Sequence, residues 1–196
     1  CGHSTGGLVV ALWASRFPKK ASALVLNSPW LEFQASALMR QVTAALVTPS
    51  STINPVRELK LPLKDQYYRT ISRDFDGEWE LHPTGSPPAS FPVFAAWLTA
   101  VLAGQAQVAK GLDLPMPVWV GLSDRSNPWS AKEPEAKNVD IVIDVEQVAA
   151  RVHKLGTEVT LYRQANGMHD LFASAPEVRS ETYAALTRWL KGYVDG

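Results

Sequence analysis

Apolar positions in this chain fall into short runs separated by polar stretches, and the runs predict alternating helices and strands. Leu8-Val9-Val10-Ala11-Leu12-Trp13-Ala14 is apolar nearly all round and ends before Phe17-Pro18. With room for about three turns, it predicts a helix buried against a sheet. Ala23-Leu24-Val25-Leu26-Asn27 reads as a short, buried parallel strand. Phe91 to Lys110 predicts a helix with Phe94, Trp97, Leu98, Val101, Leu102 and Val108 on its apolar face. Pro117 to Leu122 predicts a second buried strand, and Glu158 to Tyr162 a third. Between them, Asp144 with Gln147 fits a capping box, opening a helix through Val145, Val148, Ala149 and Val152 to Leu155, with Gly156 as its stop. Glu177 to Val194 predicts a last helix packing through Thr182, Leu186, Trp189, Leu190 and Tyr193. Strands alternating with helices imply an α/β fold with a mostly parallel sheet flanked by helices.

Two stretches break the alternation. From Gln34 to about Pro88 a helix-like run (Ala35 to Leu46) gives way to Pro49-Ser50-Ser51, Asn54-Pro55, Tyr67-Tyr68 in a polar setting, and Gly85-Ser86-Pro87-Pro88. This is too long for a simple connection and reads as an inserted cap or lid. The expected organisation is a core of residues 1–33 and 89–196 with a cap at 34–88. The second stretch, Ser123 to Asn138, is polar, carries two prolines and Trp129, and reads as an insertion.

Composition narrows the function classes. The chain has 196 residues, 46% of them apolar, with 19 basic and 19 acidic side chains. It is long enough for one domain with a real core, and its balanced charge leaves no footprint for nucleic acid. No apolar run reaches the roughly 18 residues of a membrane span. A cytoplasmic location is the expectation, to which the lack of a visible signal peptide adds little. The single cysteine, Cys1, excludes an internal disulfide and a cysteine-based metal cluster; it is expected to be buried packing.

The chemistry is concentrated at the start of the chain. Gly2-His3-Ser4-Thr5-Gly6 is a G-x-S-x-G pattern, which forms a nucleophile elbow when it lies between a strand and a helix. Gly2 and Gly6 are expected to let strand and helix approach closely. The turn lifts Ser4 Oγ out of the sheet, and the Thr5 N–H at the helix start can stabilise an oxyanion. A serine hydroxyl needs a base, and the base needs an acid to orient it. Of the four histidines, His169 follows the last predicted strand, in Asn166-Gly167-Met168-His169-Asp170, where the base belongs. The acid is Asp140, which is preferred, or Asp124, which follows the second strand directly. Asp140 reaches the strand end only if Ser123 to Asn138 loops out, and Asp144 is assigned to the cap. In the loop after the first predicted strand, Trp30, Leu31 and Phe33 either face a substrate or anchor the next segment.

Gly2-His3-Ser4-Thr5-Gly6-Gly7, Leu24-Val25-Leu26-Asn27-Ser28-Pro29 and Gly167-Met168-His169-Asp170 together resemble the α/β-hydrolase superfamily. More narrowly, they resemble its lysophospholipase and monoacylglycerol-lipase-like branch, also called serine aminopeptidase-like. Val139 to Asp144 is similar to the family segment that opens with the catalytic acid. The resemblance implies Ser4 as nucleophile, His169 as base, the Thr5 N–H as one oxyanion donor, a carboxylic ester as substrate, and neither metal nor cofactor. A peptidase or a C–C hydrolase of the same fold, or a non-catalytic ligand-binding relative, remains the alternative. The chain opens one residue before the elbow, so the resemblance also implies upstream strands, a second oxyanion donor among them, and an inactive fragment if residues 1–196 stand alone. The oligomeric state is left open.

Overall fold

The computed structural model describes residues 1–34, 48–49, 51–60, 65–82, 84–88, 90–127 and 135–193. The predicted helix at Ala35 to Leu46, Trp129 and the last residue of the predicted C-terminal helix, Val194, lie outside the described residues. The chain divides into two compact units, Cys1–Gln34 with Gly104–Gly196, and Ala35–Ala103.

The first unit is built on a parallel sheet of four strands: β1 (Gly2–His3), β2 (Leu24–Asn27), β5 (Val118–Ser123) and β6 (Val159–Gln164), in the order β1-β2-β5-β6. Gly2 pairs with Leu26, Leu26 with Val120, and Val120 with Leu161. This register lines up the C-terminal ends of the strands. Ser4, Ser28, Asp124 and Ala165 therefore leave the sheet along one edge, where open α/β sheets place their sites. All six residues of β5 are buried, as expected for a central parallel strand.

Helix α1 (Thr5–Arg16) follows β1 directly and buries Gly7, Leu8, Ala11 and Ala14. It buries one stripe and leaves another uncovered. Val9, Trp13 and Phe17 are exposed, because a helix lying on a sheet buries one stripe and composition cannot tell which flanks have neighbours. Cys1, expected inside, is also exposed: it precedes the paired residues of β1, which have a partner on the β2 side.

The second unit contains an antiparallel pair, β3 (Glu58–Leu59) with β4 (Val93–Phe94), and helix α2 (Gln66–Ile71). Helix α3 (Ala95–Lys110) starts four residues later than the apolar pattern predicts. Val93 and Phe94 are taken by the strand pairing, and the Ala95 and Ala96 N–H groups donate to the Arg57 and Pro55 carbonyls. Phe94 and Trp97 are consequently exposed, while Leu98, Val101 and Val108 are buried. The boundary between the units falls within α3, and its last residues belong to the first unit.

Helix α4 (Val145–Val152) is capped as its sequence requires: Asp144 accepts from the N–H groups of Glu146 and Gln147, and the Gln147 amide donates back to it. Helix α5 (Pro176–Tyr193) buries Val178, Thr182, Ala185 and Trp189, and the Trp189 indole donates to Thr160 Oγ1 on β6. Tyr193, placed on the packing face by periodicity, is exposed. No helix of the described residues is long and apolar enough to cross a membrane.

Candidate active site

The turn from β1 to α1 has a single residue, Ser4, with φ 52° and ψ −123°. A non-glycine residue in this region is strained and is retained only where its surroundings over-determine it. Here the surroundings are a set of backbone hydrogen bonds. The Ser4 N–H donates to the Asn27 carbonyl at 3.0 Å, and the Ser4 carbonyl accepts from the Gly7 and Trp30 N–H groups, each at 3.0 Å. Glycine makes this turn possible, but not at both expected places. A Cβ on Gly2 would lie 2.7 Å from the Gly6 carbonyl oxygen and 2.9 Å from Gly7 Cα. A Cβ on Gly7 would lie 2.7 Å from Pro29 Cβ. At Gly6 it would meet nothing within 4 Å, so Gly6, unlike Gly2, is not required by close approach. The crowded partner is Gly7, one position further on, where the helix faces the loop after β2. Thr5 occupies the first position of α1, where a helix N–H has no partner within the helix.

His169 comes from the loop after β6 and is almost completely buried. Its Nε2 lies 2.9 Å from Ser4 Oγ, and its Nδ1 lies 2.8 Å from Asp140 Oδ2. An ionised carboxylate only accepts, so Nδ1 carries the proton toward Asp140 and Nε2 faces the serine hydroxyl as an acceptor. The structure thus brings Ser4, His169 and Asp140 into one hydrogen-bonded line.

Asp140 reaches this position by rejoining the end of β5. Its N–H donates to the Arg125 carbonyl, its carbonyl accepts from the Asn127 N–H, and it forms a parallel bridge with Ser126. The carboxylate is fully buried, and Oδ1 accepts from the Val142 and Ile143 N–H groups at 2.8 and 2.9 Å. Three donors hold it: these two N–H groups and His169 Nδ1–H. Asp124, the other candidate, is exposed; its N–H continues the pairing to Gln164, and its carbonyl accepts from the Arg163 guanidinium.

Trp30 and Phe33 are half-buried, with ring centroids 6.0 Å apart, in the loop after β2. The backbone of Trp30 is held at both ends, its N–H on the Ser4 carbonyl and its carbonyl on the Gln105 side-chain amide. The same loop is anchored by an ion pair between buried Glu32 and Arg151 of α4. The Gln34 amide also donates to the Val142 carbonyl beside Asp140.

Two residues near the line are not singled out by sequence reasoning. The His3 imidazole donates through Nδ1 to the Asn27 carbonyl at 3.1 Å and packs against the His169 ring, with centroids 4.9 Å apart. Burial, and then the neighbouring His169, push its pKa below the ordinary 6.5. Asn27 itself is buried at the C-terminal end of β2. A buried amide at a strand end on the site's edge of the sheet is the signal that could have found it.

A family model described as "Serine aminopeptidase, S33" matches residues 1–175. Among solved structures, the monoacylglycerol lipase of Paleococcus ferrophilus is similar at 21% identity and a TM-score of 0.66, over 96% of this chain and 66% of that one. A soluble variant of monoglyceride lipase from Saccharomyces cerevisiae, in complex with a substrate analog, is similar at 17% identity and a TM-score of 0.58, over 97% and 60%. Est1E from Butyrivibrio proteoclasticus with ferulic acid bound is similar at 15% identity and a TM-score of 0.51, over 97% and 57%. The chain therefore spans two thirds or less of the length of each of these structures. No curated protein sequence matches it. With the family matched over most of its length, the chain belongs to the serine aminopeptidase S33 family and has the α/β-hydrolase fold.

Proposed function

We propose that the full-length protein is a serine hydrolase that cleaves a carboxylic ester of an apolar acyl group through an acyl-enzyme on Ser4. The observation that carries this is the hydrogen-bonded line from Ser4 Oγ through His169 to Asp140 Oδ2. In this reading Ser4 Oγ attacks the ester carbonyl while His169 Nε2 takes its proton, and Asp140 stabilises the imidazolium that forms. The developing oxyanion is met by the Thr5 N–H, reinforced by the positive end of α1. Collapse of the tetrahedral species breaks the bond to the alcohol, which leaves with the proton from His169. Water then attacks the acyl-enzyme with the same histidine as base and releases the acid. Trp30 and Phe33 are assigned to the acyl group because their half-buried rings follow a strand end on the site's edge. Residues 34–88 are assigned the role of a cap that selects the substrate. The lipase names of two similar structures, and the ferulic acid bound to the third, favour an ester. The family description favours an amide as the second reading.

The test is a fluorophosphonate probe on the full-length protein, followed by p-nitrophenyl esters of increasing acyl length beside an aminoacyl-p-nitroanilide. The expected result is labelling that is abolished by Ser4→Ala, with kcat/KM rising along the ester series. Absence of labelling in the folded protein overturns the serine mechanism. Turnover of the anilide alone transfers the reading to a peptidase.

A further inference from the structure

Asn27 touches both halves of the catalytic line. Its carbonyl accepts from the Ser4 N–H at 3.0 Å and from His3 Nδ1 at 3.1 Å, which ties it to the elbow. Its side chain turns to the histidine loop. Nδ2 donates to Asp170 Oδ1 at 2.7 Å, and Oδ1 accepts from the Leu171 N–H at 3.3 Å. Asp170 directly follows His169, and its Oδ1 also accepts from the Phe172 N–H at 3.0 Å. The loop is closed behind it by Ser174, whose hydroxyl donates to the Asp170 carbonyl and accepts from the Met168 N–H. Asn27 is buried, and its bond to the Leu171 N–H is shielded from competing water.

We propose that Asn27 is a positioning residue that joins the nucleophile elbow to the histidine loop and so sets the Ser4–His169 distance. The inference rests on the reading of Ser4 and His169 as nucleophile and base. A leucine of similar size would fill the space but could neither donate to Asp170 nor accept from Leu171. The residue has to present a donor to a carboxylate and an acceptor to a backbone N–H at once, and the asparagine amide does both. Because β1 and β2 are paired in register, a displacement of the Asn27 side chain moves the histidine loop while the elbow stays in place. An error of about 1 Å in such a line costs on the order of 10² in rate.

The experiment turns the Asn27–Asp170 bond into a titrating one. Asn27→Asp keeps the size and the Leu171 acceptor but sets a second carboxylate against Asp170. Two carboxylates so close share one proton at low pH and repel at high pH. His3 feels Asp170, His169 and Asp140, and these groups are common to variant and wild type. The expected kcat of Asn27→Asp, relative to wild type at the same pH, falls by about tenfold between about pH 6 and about pH 8.5, with KM unchanged. Asn27→Ala, which carries no titrating group, should lose on the order of 10² in kcat at every pH. Adding Asp170→Asn to Asn27→Asp restores one amide and one carboxylate, and should return the ratio to a flat profile. A constant ratio for Asn27→Asp across this range, or no recovery in the swapped pair, overturns the proposal. A wild-type protein that fluorophosphonate does not label defeats the catalytic reading instead. The joint is still tested then by the ring 15N resonances of His169. In Asn27→Asp these should match wild type at the lower pH and depart from it at the higher one; agreement at both overturns the joint.

Discussion

The turn at Ser4 and the loop at Asp140 both end on His169, yet they are held in different ways. Ser4 is positioned by its immediate neighbours: two residues of strand before it, a helix directly after it, and crowding at Gly2 and Gly7 that leaves no room for a side chain. Its strained backbone, φ 52°, is the consequence of making a strand-to-helix reversal in one residue. Asp140 has no such local constraint. The chain leaves β5 at Ser123 and returns to make two hydrogen bonds beside Arg125 and Asn127, and only that return delivers the carboxylate. The turn at Ser4 is thus specified by sterics among consecutive residues, and the place of Asp140 by a long-range pairing followed by local capping from Val142 and Ile143. A pattern of adjacent residues suffices to read the first. The second needs the fold.

The largest effect separates the two acids. Asp140→Asn keeps the volume but presents an amide in place of the acceptor that holds His169 Nδ1–H, which favours the wrong tautomer. On the proposed mechanism, the full-length protein should lose about 10³ to 10⁴ in kcat, about 4 to 5 kcal/mol of transition-state stabilisation. Asp124→Asn, at an exposed position whose backbone makes the pairing, should lose less than about threefold. Steady-state kinetics of both variants decide it. A large loss at Asp124 with a small one at Asp140 would mean that the bridge at Ser126 does not set the acid.

The elbow side of the comparison is broken through its glycines. Gly2→Ala and Gly7→Ala each push a methyl into atoms that cannot move away, and should destabilise by about 1–3 kcal/mol. Gly6→Ala meets open space at a helical position and should stabilise by up to about 1 kcal/mol. For a chain of this length each kcal/mol moves Tm by about 2–4 °C. Thermal melts of the three variants therefore rank them by sign. Equal losses at all three would show that the whole motif, rather than the two contacts, sets the turn.

What was legible in the sequence follows the same division. The order of elbow, helix and strand, the cap at Asp144 and the position of His169 after the last strand depend on periodicity and on neighbours a few residues apart. They can be read from the residues. The motif reading nevertheless placed the second close approach at Gly6, because the pattern of small residues cannot say which one faces Pro29. The exposure of Phe94, Trp97 and Tyr193 was misread for a related reason: apolar character does not state which stripe of a helix has a neighbour. Asn27 and His3 were passed over because their bonds run to residues distant in the chain, Asp170 and Leu171 for the one, and the His169 ring for the other.

The smallest effect concerns His3, which lies on the elbow side but feels the histidine of the other. Its folded pKa is lowered, first by burial and then by His169. Above the ordinary value of 6.5 the group is neutral in both folded and unfolded states and contributes nothing to the pH dependence. As pH falls below that value the unfolded chain takes up a proton that the folded one refuses, so stability declines until the lowered folded pKa is reached. His3→Gln removes this step. Its side-chain amide is placed to donate to the Asn27 carbonyl in the imidazole's stead. The expected outcome is a wild-type Tm that falls more steeply than that of His3→Gln between about pH 7 and about pH 5, with the two parallel above about pH 7. Thermal melts across this range measure the difference directly. Parallel curves throughout would mean that His3 takes up its proton in the folded state as readily as in the unfolded one, and that its contact with His169 carries no electrostatic coupling.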